Sequence, residues 1–273
     1  MAEFSGHLNL RAARRDDGRT AIASQAFRAP FHLSKPYWDE PSRTLLVQVV
    51  NPTAGILSGD RLSSEIAADA GAALMVTTPS ASRVFHMREG EARCEQRFVI
   101  AKGAWLEVAP EPLVPHRESS YCQHTHIEVA EGGAAFFVDQ LSAGRVAHGE
   151  TWSWKRLQLT TEVRLGGELI LRERFDQTGP ELSELARLAG SGPEACFANA
   201  VLISSTDNSS EWRPEVAALH ADGLWIGVSA LRRGGWSLKL VANDSVRLRR
   251  GLSEVRRRLS RSFPHLTCDA RKL

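Results

Sequence analysis

The feature that most narrows the fold of this chain is an internal repeat: a glycine, a small residue and then an apolar run. Gly71-Ala72-Ala73-Leu74-Met75-Val76 is echoed by Gly103-Ala104-Trp105-Leu106-Glu107-Val108 and by Gly133-Ala134-Ala135-Phe136-Phe137-Val138, with a weaker fourth copy at Gly167-Glu168-Leu169-Ile170-Leu171. The copies stand 32, 30 and 34 residues apart. Alternating segments precede them, such as Arg97-Phe98-Val99-Ile100 and His126-Ile127-Glu128-Val129. Alternation with period two marks a strand with one buried face. The repeating unit is therefore strand, tight turn, strand, and a crossing to the next unit. Glycine allows turn angles that a side chain forbids, and the small residue beside it allows close approach. A unit of this size cannot bury its apolar face alone, so neighbours must stack. The chain is predicted to be mainly β, its strands stacked in a coil or in a Greek-key sandwich; repeated hairpins suit both.

Around the repeat the signals are local. Leu8 to Ala12 alternates ahead of the turn Asp16-Asp17-Gly18, and Thr20 to Phe27 is a second candidate strand. Leu45 to Val50 is apolar and rich in β-branched residues, which reads as a strand buried on both faces. Pro52 stops it, and Gly55 and Gly59 allow the following turn, which Asp60 leaves. Two helices are predicted. One lies near 180–190, opened by Pro180, with Leu182, Leu185, Leu188 and Ala189 on one face and Gly190-Ser191-Gly192-Pro193 after it. The other lies near 244–262, capped by Asp244 or Ser245, with an apolar stripe of Leu248, Leu252, Val255 and Leu259. Its opposite face carries Arg247, Arg249, Arg250, Arg256, Arg257, Arg258 and Arg261, and reads as a solvated face or a docking surface for an acidic partner. Ser204 to Arg213 reads as a polar loop, and Ala217 to Ala230 as renewed β alternation.

The totals exclude several function classes. With 34 basic against 32 acidic residues the net charge is +2, which gives no general affinity for nucleic acid or membrane. The four cysteines, Cys94, Cys122, Cys196 and Cys268, include no C-x-x-C pair, so a zinc ribbon or thioredoxin-type site is not expected. No apolar run is long enough to span a bilayer and the first residues lack a signal-peptide pattern, so a cytoplasmic protein with reduced thiols is expected. The chain has no G-x-S-x-G elbow, phosphate loop, dinucleotide fingerprint or H-E-x-x-H motif.

Two sets of residues could carry chemistry. Cys122, His124 and His126 share one strand face, and two histidines with a thiolate can grip a borderline metal ion. The same triplet also reads as a plain polar strand face. Carboxylates recur at strand ends: Asp60, Glu65, Glu95, Glu107, Glu111, Glu128, Asp139 and Glu150. Any that face inward need partners or water, and Arg145 is the expected partner of Asp139.

Taken together, several of these stretches resemble one known family. They are Asn51-Pro52 through Gly59-Asp60-Arg61-Leu62; Thr77-Thr78-Pro79-Ser80-Ala81-Ser82-Arg83-Val84-Phe85; Gly103 to Glu107 with Pro110-Glu111-Pro112; and Gly144-Arg145 with Gly149-Glu150. In order and spacing they are similar to the urease accessory proteins called UreD, or UreH in some organisms. The likeness fades after about Thr178, with Ala242-Asn243-Asp244 before the last helix fitting again.

The resemblance implies a single domain over 1–273, a β-helix-like stack with two helices, and no enzymatic activity. It implies a chaperone that binds apo-urease and joins UreF and the GTPase UreG, with a dimer of such complexes allowed. It also implies an internal polar tunnel that hands nickel on without keeping a tightly bound cofactor. A conduit must hold its ion weakly, so scattered oxygen ligands suit it better than a Cys/His cage. On that reading Asp60, Asp139 and Glu150 are conduit or conformational residues, with Arg145 fixing their geometry, and Glu65, Glu95 and Glu128 are held in reserve. Asp60→Ala is then expected to keep the fold and lower nickel loading of urease. The alternative is a metal-dependent hydrolase using His124 and His126.

Overall fold

The computed structural model describes residues 5–53, 55–205 and 209–270. The chain opens with β1 (Ser5–Arg14), β2 (Thr20–Arg28), β3 (His32–Leu33), β4 (Tyr37–Asp39), β5 (Thr44–Val50), β6 (Arg61–Ala68), β7 (Ala73–Thr77) and β8 (Ser82–Val84). It continues through β9 (Ala92–Ile100), β10 (Trp105–Val108), β11 (Leu113–Pro115), β12 (Ser120–Val129), β13 (Ala134–Leu141), β14 (Gly144–Arg145) and β15 (Glu150–Thr151). The last part is β16 (Arg156–Leu165), β17 (Glu168–Gln177), α1 (Gly179–Leu188), β18 (Cys196–Ile203), α2 (Ser209–Ala217), β19 (Leu224–Ala230), β20 (Gly235–Ala242) and α3 (Ser245–Leu259).

The repeat builds a two-sheet solenoid. The first sheet has seven strands in the order β17-β16-β12-β9-β6-β1-β2. Its middle is parallel from β1 through β6, β9 and β12 to β16, and a hairpin closes each end. The main path of the second sheet runs β19-β20-β18-β13-β10-β7-β5-β3, parallel from β5 to β13. Each of the pairs β6–β7, β9–β10 and β12–β13 enters one sheet, turns a corner and leaves in the other. These parallel ladders exclude the Greek-key sandwich.

Two of the repeat glycines, Gly71 and Gly103, sit at those corners. Gly71 and Gly103 adopt φ of 70° and 69°, and the matching residue of the third corner is Gly132, at 79°, one position before the glycine of the sequence repeat. The corners stack on one another: Gly71 N–H donates to Lys102 O at 3.3 Å and Gly103 N–H to Gly132 O at 3.0 Å. Gly133 has a different task, since a Cβ there would lie 2.7 Å from Ala101 O. The fourth copy is no corner. Gly166 and Gly167, at φ 57° and 85°, form the two-residue turn of the β16–β17 hairpin, whose twist requires positive φ at both positions.

Both predicted helices form. Thr178 caps α1 and shares a capping box with Glu181, while the Asp244 carboxylate accepts the Arg247 N–H that opens α3. The apolar stripe of α1 is only half used: Leu182 and Ala186 are buried, but Leu185 and Leu188 are exposed. A third helix was hidden in the stretch read as a polar loop, because α2 contains Pro214 and begins in serines, both poor helix signals. It forms because Trp212 and Val216 bury against the outer face of the second sheet. Strand structure resumes only at Leu224, after the helix end and a turn. Helices α2 and α3 cover that outer face, whereas the outer face of the first sheet is open and dense in charge. Among the described residues, no helix is long and apolar enough to cross a membrane.

Candidate functional site

Between the sheets, side chains project in rows, one residue from each strand. Near the corners the first sheet contributes an apolar row of Ile66, Phe98, Ile127, Val163 and Leu171. Two positions back along each strand the row becomes polar: Ser64, Gln96, Thr125, Thr161 and Glu173. The second sheet faces it with Asp139, Asn199 and Lys239, which share a register row. This polar layer divides the interior into two apolar clusters, one around Phe98 and Ile127, the other around Tyr121 and Leu157.

The layer is wired together. The Tyr121 hydroxyl donates to Gln123 Oε1 at 3.0 Å, Gln123 Nε2 donates to Thr125 Oγ1 at 3.3 Å, and Thr125 Oγ1 donates to Gln96 Oε1 at 3.2 Å. Gln123 also hydrogen-bonds the Asp139 carboxylate. A cavity of about 360 Å³ reaches the layer, touching Ser64, Gln96, Gln123 and Asp139, with Thr53, Gly55 and Arg83 among the residues around it. Asp139 thus lies deep in the protein yet keeps an open side toward space that admits water. Burial raises its carboxyl to about 6; the Gln123 hydrogen bond opposes the rise and the charge of Glu173 adds to it. Burial also pushes the Cys94 thiol on the cavity wall up to about 12, so it stays protonated at neutral pH. At the far end of the layer, Lys239 Nζ meets Glu173 Oε1 at 2.5 Å, joining the two sheets.

The sequence-predicted residues fall in three places. Asp139 is in the layer. Asp60 is at the turn after the Asn51 stretch, where its Oδ2 accepts the Leu57 N–H at 2.8 Å. Burial raises its pKa and that bond opposes the rise. Gly55 and Gly59 take φ of 148° and 82° there, and a Cβ on Gly55 would lie 2.6 Å from Arg83 O. Gly55 therefore lets the loop close against Arg83 beside the cavity, and Asp60 holds the turn that follows. Arg145 does not partner Asp139. The hairpin β14–β15 sets it opposite Glu150, and the two form a bidentate pair at 3.0 and 2.7 Å. Arg145 holds the Glu150 carboxyl down at about 2.

The remaining candidates lie outside the interior. Glu65, Glu95 and Glu128 occupy the other strand face, on the outside of the first sheet, because period two alternates them with Ser64, Gln96 and Ile127. Arg97 bridges Glu65 and Glu128 at 3.2 and 3.0 Å, and Glu95 faces His124 at 3.6 Å. Cys122, His124 and His126 share that outer face as predicted, with Cys122 Sγ 3.5 Å from His124 Nε2 and His126 facing Glu162. Among the described residues, however, no group of three or more His, Cys, Asp or Glu side chains could hold a metal ion. The sequence reading missed Gln96, Gln123, Thr125, Glu173 and Lys239. A signal was present: Ser64, Gln96 and Thr125 recur at the corner glycines' own spacing, at an inward position otherwise apolar.

Fold and site define a class: a two-sheet parallel β-solenoid, helix-covered on one side, with a polar layer and a cavity in place of a continuous apolar interior. The family profile described as UreD urease accessory protein matches residues 5–271. A urease accessory protein UreD from Opitutus terrae is 60% identical over 271 residues, covering 99% of this chain and all of that protein. UreD proteins from Acetivibrio thermocellus and Yersinia pseudotuberculosis are 31% and 37% identical over 59% and 53% of the chain, covering 62% and 45% of their own lengths. The chain belongs to the UreD family of urease accessory proteins.

Proposed function

We propose that this chain acts in urease maturation as a non-enzymatic scaffold, and that the polar layer is the path by which nickel crosses it. Family membership over residues 5–271 supports the role, and the observation that carries the path is the inward Asp139 on a water-admitting cavity. A nickel ion there would meet carboxylate, amide and hydroxyl oxygens. Such ligands hold it less tenaciously than thiolates or imidazoles, so it can leave as readily as it enters. Among the described residues of the wall, Cys94 is the soft ligand, and its thiol stays protonated. Asp60 belongs to this reading as a positioning residue, through the turn beside the cavity.

The partners on this reading are apo-urease, UreF and UreG, in the cytoplasm, and nickel is cargo. The alternative of a hydrolase using His124 and His126 lacks a third ligand among the described residues. The test is the nickel content of urease from cells expressing its subunits and accessory proteins with wild-type chain, with none, or with Asp139→Asn. Asparagine keeps the shape and the bond to Gln123 but removes the charge. Nickel is expected to fall several-fold with the variant and further without the chain, while the variant stays folded. Full nickel loading with Asp139→Asn refutes the path; full loading without the chain refutes the maturation role.

A further inference from the structure

The polar layer ends on a cation of the protein's own. Lys239 faces the interior from β20 while its flanking residues, Leu238 and Leu240, bury under the helices. Glu173 faces the interior from β17, between Leu171 and Phe175, which pack on the two interior clusters. The pair bridges the sheets at the stack's last strands: β17 is an edge strand, and β20 is next to the edge strand β19. The Lys239 side chain is 47% exposed and that of Glu173 24%, so the pair stands where the layer meets solvent. The next position in the Asp139–Asn199–Lys239 row is Gly227, where nothing lies within 4 Å of an added Cβ. The ammonium, on its flexible stem, has room to swing aside.

We infer that Lys239 is a displaceable counter-ion that closes this end of the layer: its ammonium occupies Glu173, and a divalent cation passes by driving it off. The inference rests on the proposed nickel path and adds its control point. With Lys239 in place, Glu173 is neutralised and an approaching dication meets a like charge. With Lys239 swung out, Glu173 offers its carboxylate to the ion at this end of the layer, and its charge is already felt at Asp139 further in. The lysine thus prevents the layer from becoming a storage site.

The test combines nickel(II) titration of the purified full-length chain by calorimetry with nickel content of urease matured in cells. Lys239→Met is expected to bind nickel(II) about tenfold more tightly than wild type, the order of effect of one neighbouring charge, and to lower nickel delivered to urease. Lys239→Arg, which keeps the charge, is expected to behave closer to wild type in both assays. Adding Glu173→Gln to Lys239→Met is expected to abolish the tighter binding. Unchanged nickel affinity in Lys239→Met, or equal shifts in the Met and Arg variants, overturns the counter-ion role. If Asp139→Asn still lowers nickel loading in that case, the path itself stands. Wild-type loading with Asp139→Asn removes the path and the control point together.

Discussion

Asp139 is the residue whose chemistry departs most usefully from its ordinary behaviour. In the unfolded chain its carboxyl ionises near 3.8; in the fold, burial moves that to about 6. The sign follows from linkage. The folded state holds the proton more tightly, so the stability linked to this group is present below pH 3.8 and is lost as pH rises through about 6. Above that, ionised Asp139 costs at most about 3 kcal/mol, an upper figure because the cavity admits water. Asp139→Asn is therefore expected to be more stable than wild type to urea at pH 7.5 and equal to it at pH 3.5, when unfolding is followed at both. A pH-independent difference would show that the carboxyl is not buried in this way. The sequence placed Asp139 among the strand-end carboxylates that could face inward, and it does face inward. Its partner was not legible there: Arg145 is the nearer cation along the chain, but hairpin register gave Arg145 to Glu150, and the parallel rungs gave Asp139 to Gln123.

At the scale of elements, α3 shows why a charge pattern is an incomplete guide to exposure. Its apolar stripe, with Leu248, Val255 and Leu259, buries as predicted. Arg256, which the helical wheel placed on the solvated side, instead reaches under the helix to Glu107, whose side chain is 0% exposed. The bond is bidentate, at 2.6 and 2.9 Å, and Arg256 Nη2 also donates to Cys268 O at 2.7 Å. The pair pins the helix and the segment after it to β10. Arg256→Met leaves a buried carboxylate unpaired and is expected to cost about 3–5 kcal/mol by urea unfolding. The double change Arg256→Met with Glu107→Gln is expected to recover most of that loss, since it removes the stranded charge. Equal losses in the single and double variants would mean that packing, not charge, is what Arg256 provides. Arg249 and Arg257 behave as read, pairing at the surface with Glu111 and Glu254, as does Arg261 just after the helix with Glu215, whereas Arg258 is about as covered as Arg256 and pairs with Glu215.

For the whole molecule, a solenoid is stabilised rung by rung, each bonded to its neighbours above and below. The central strands β9, β10, β12 and β13 have partners on both sides; β2, β17 and β19 end the sheets with one free edge. Amide hydrogen exchange is expected to be slowest in the central four and fastest in β2 and β19, with β2 mostly exposed along its length. Uniform protection across the sheets would contradict rung-by-rung stability. The sequence by itself determined the strand-rich class, the repeating unit, the corner glycines Gly71 and Gly103 and the two capped helices, because each is fixed by neighbours within a few residues. The resemblance it carries also pointed to the family, to which the profile match over residues 5–271 assigns it. Only the tertiary structure decided that the rungs run parallel, that the fourth glycine makes a hairpin, and that Pro214 lies in a helix. It alone gathered Gln96, Gln123, Asp139, Glu173 and Lys239 into one layer. The physical reason is range: these residues meet through stacking of rungs about thirty residues apart and through two sheets facing each other. Local periodicity fixes which face a side chain takes, but not what stands across from it.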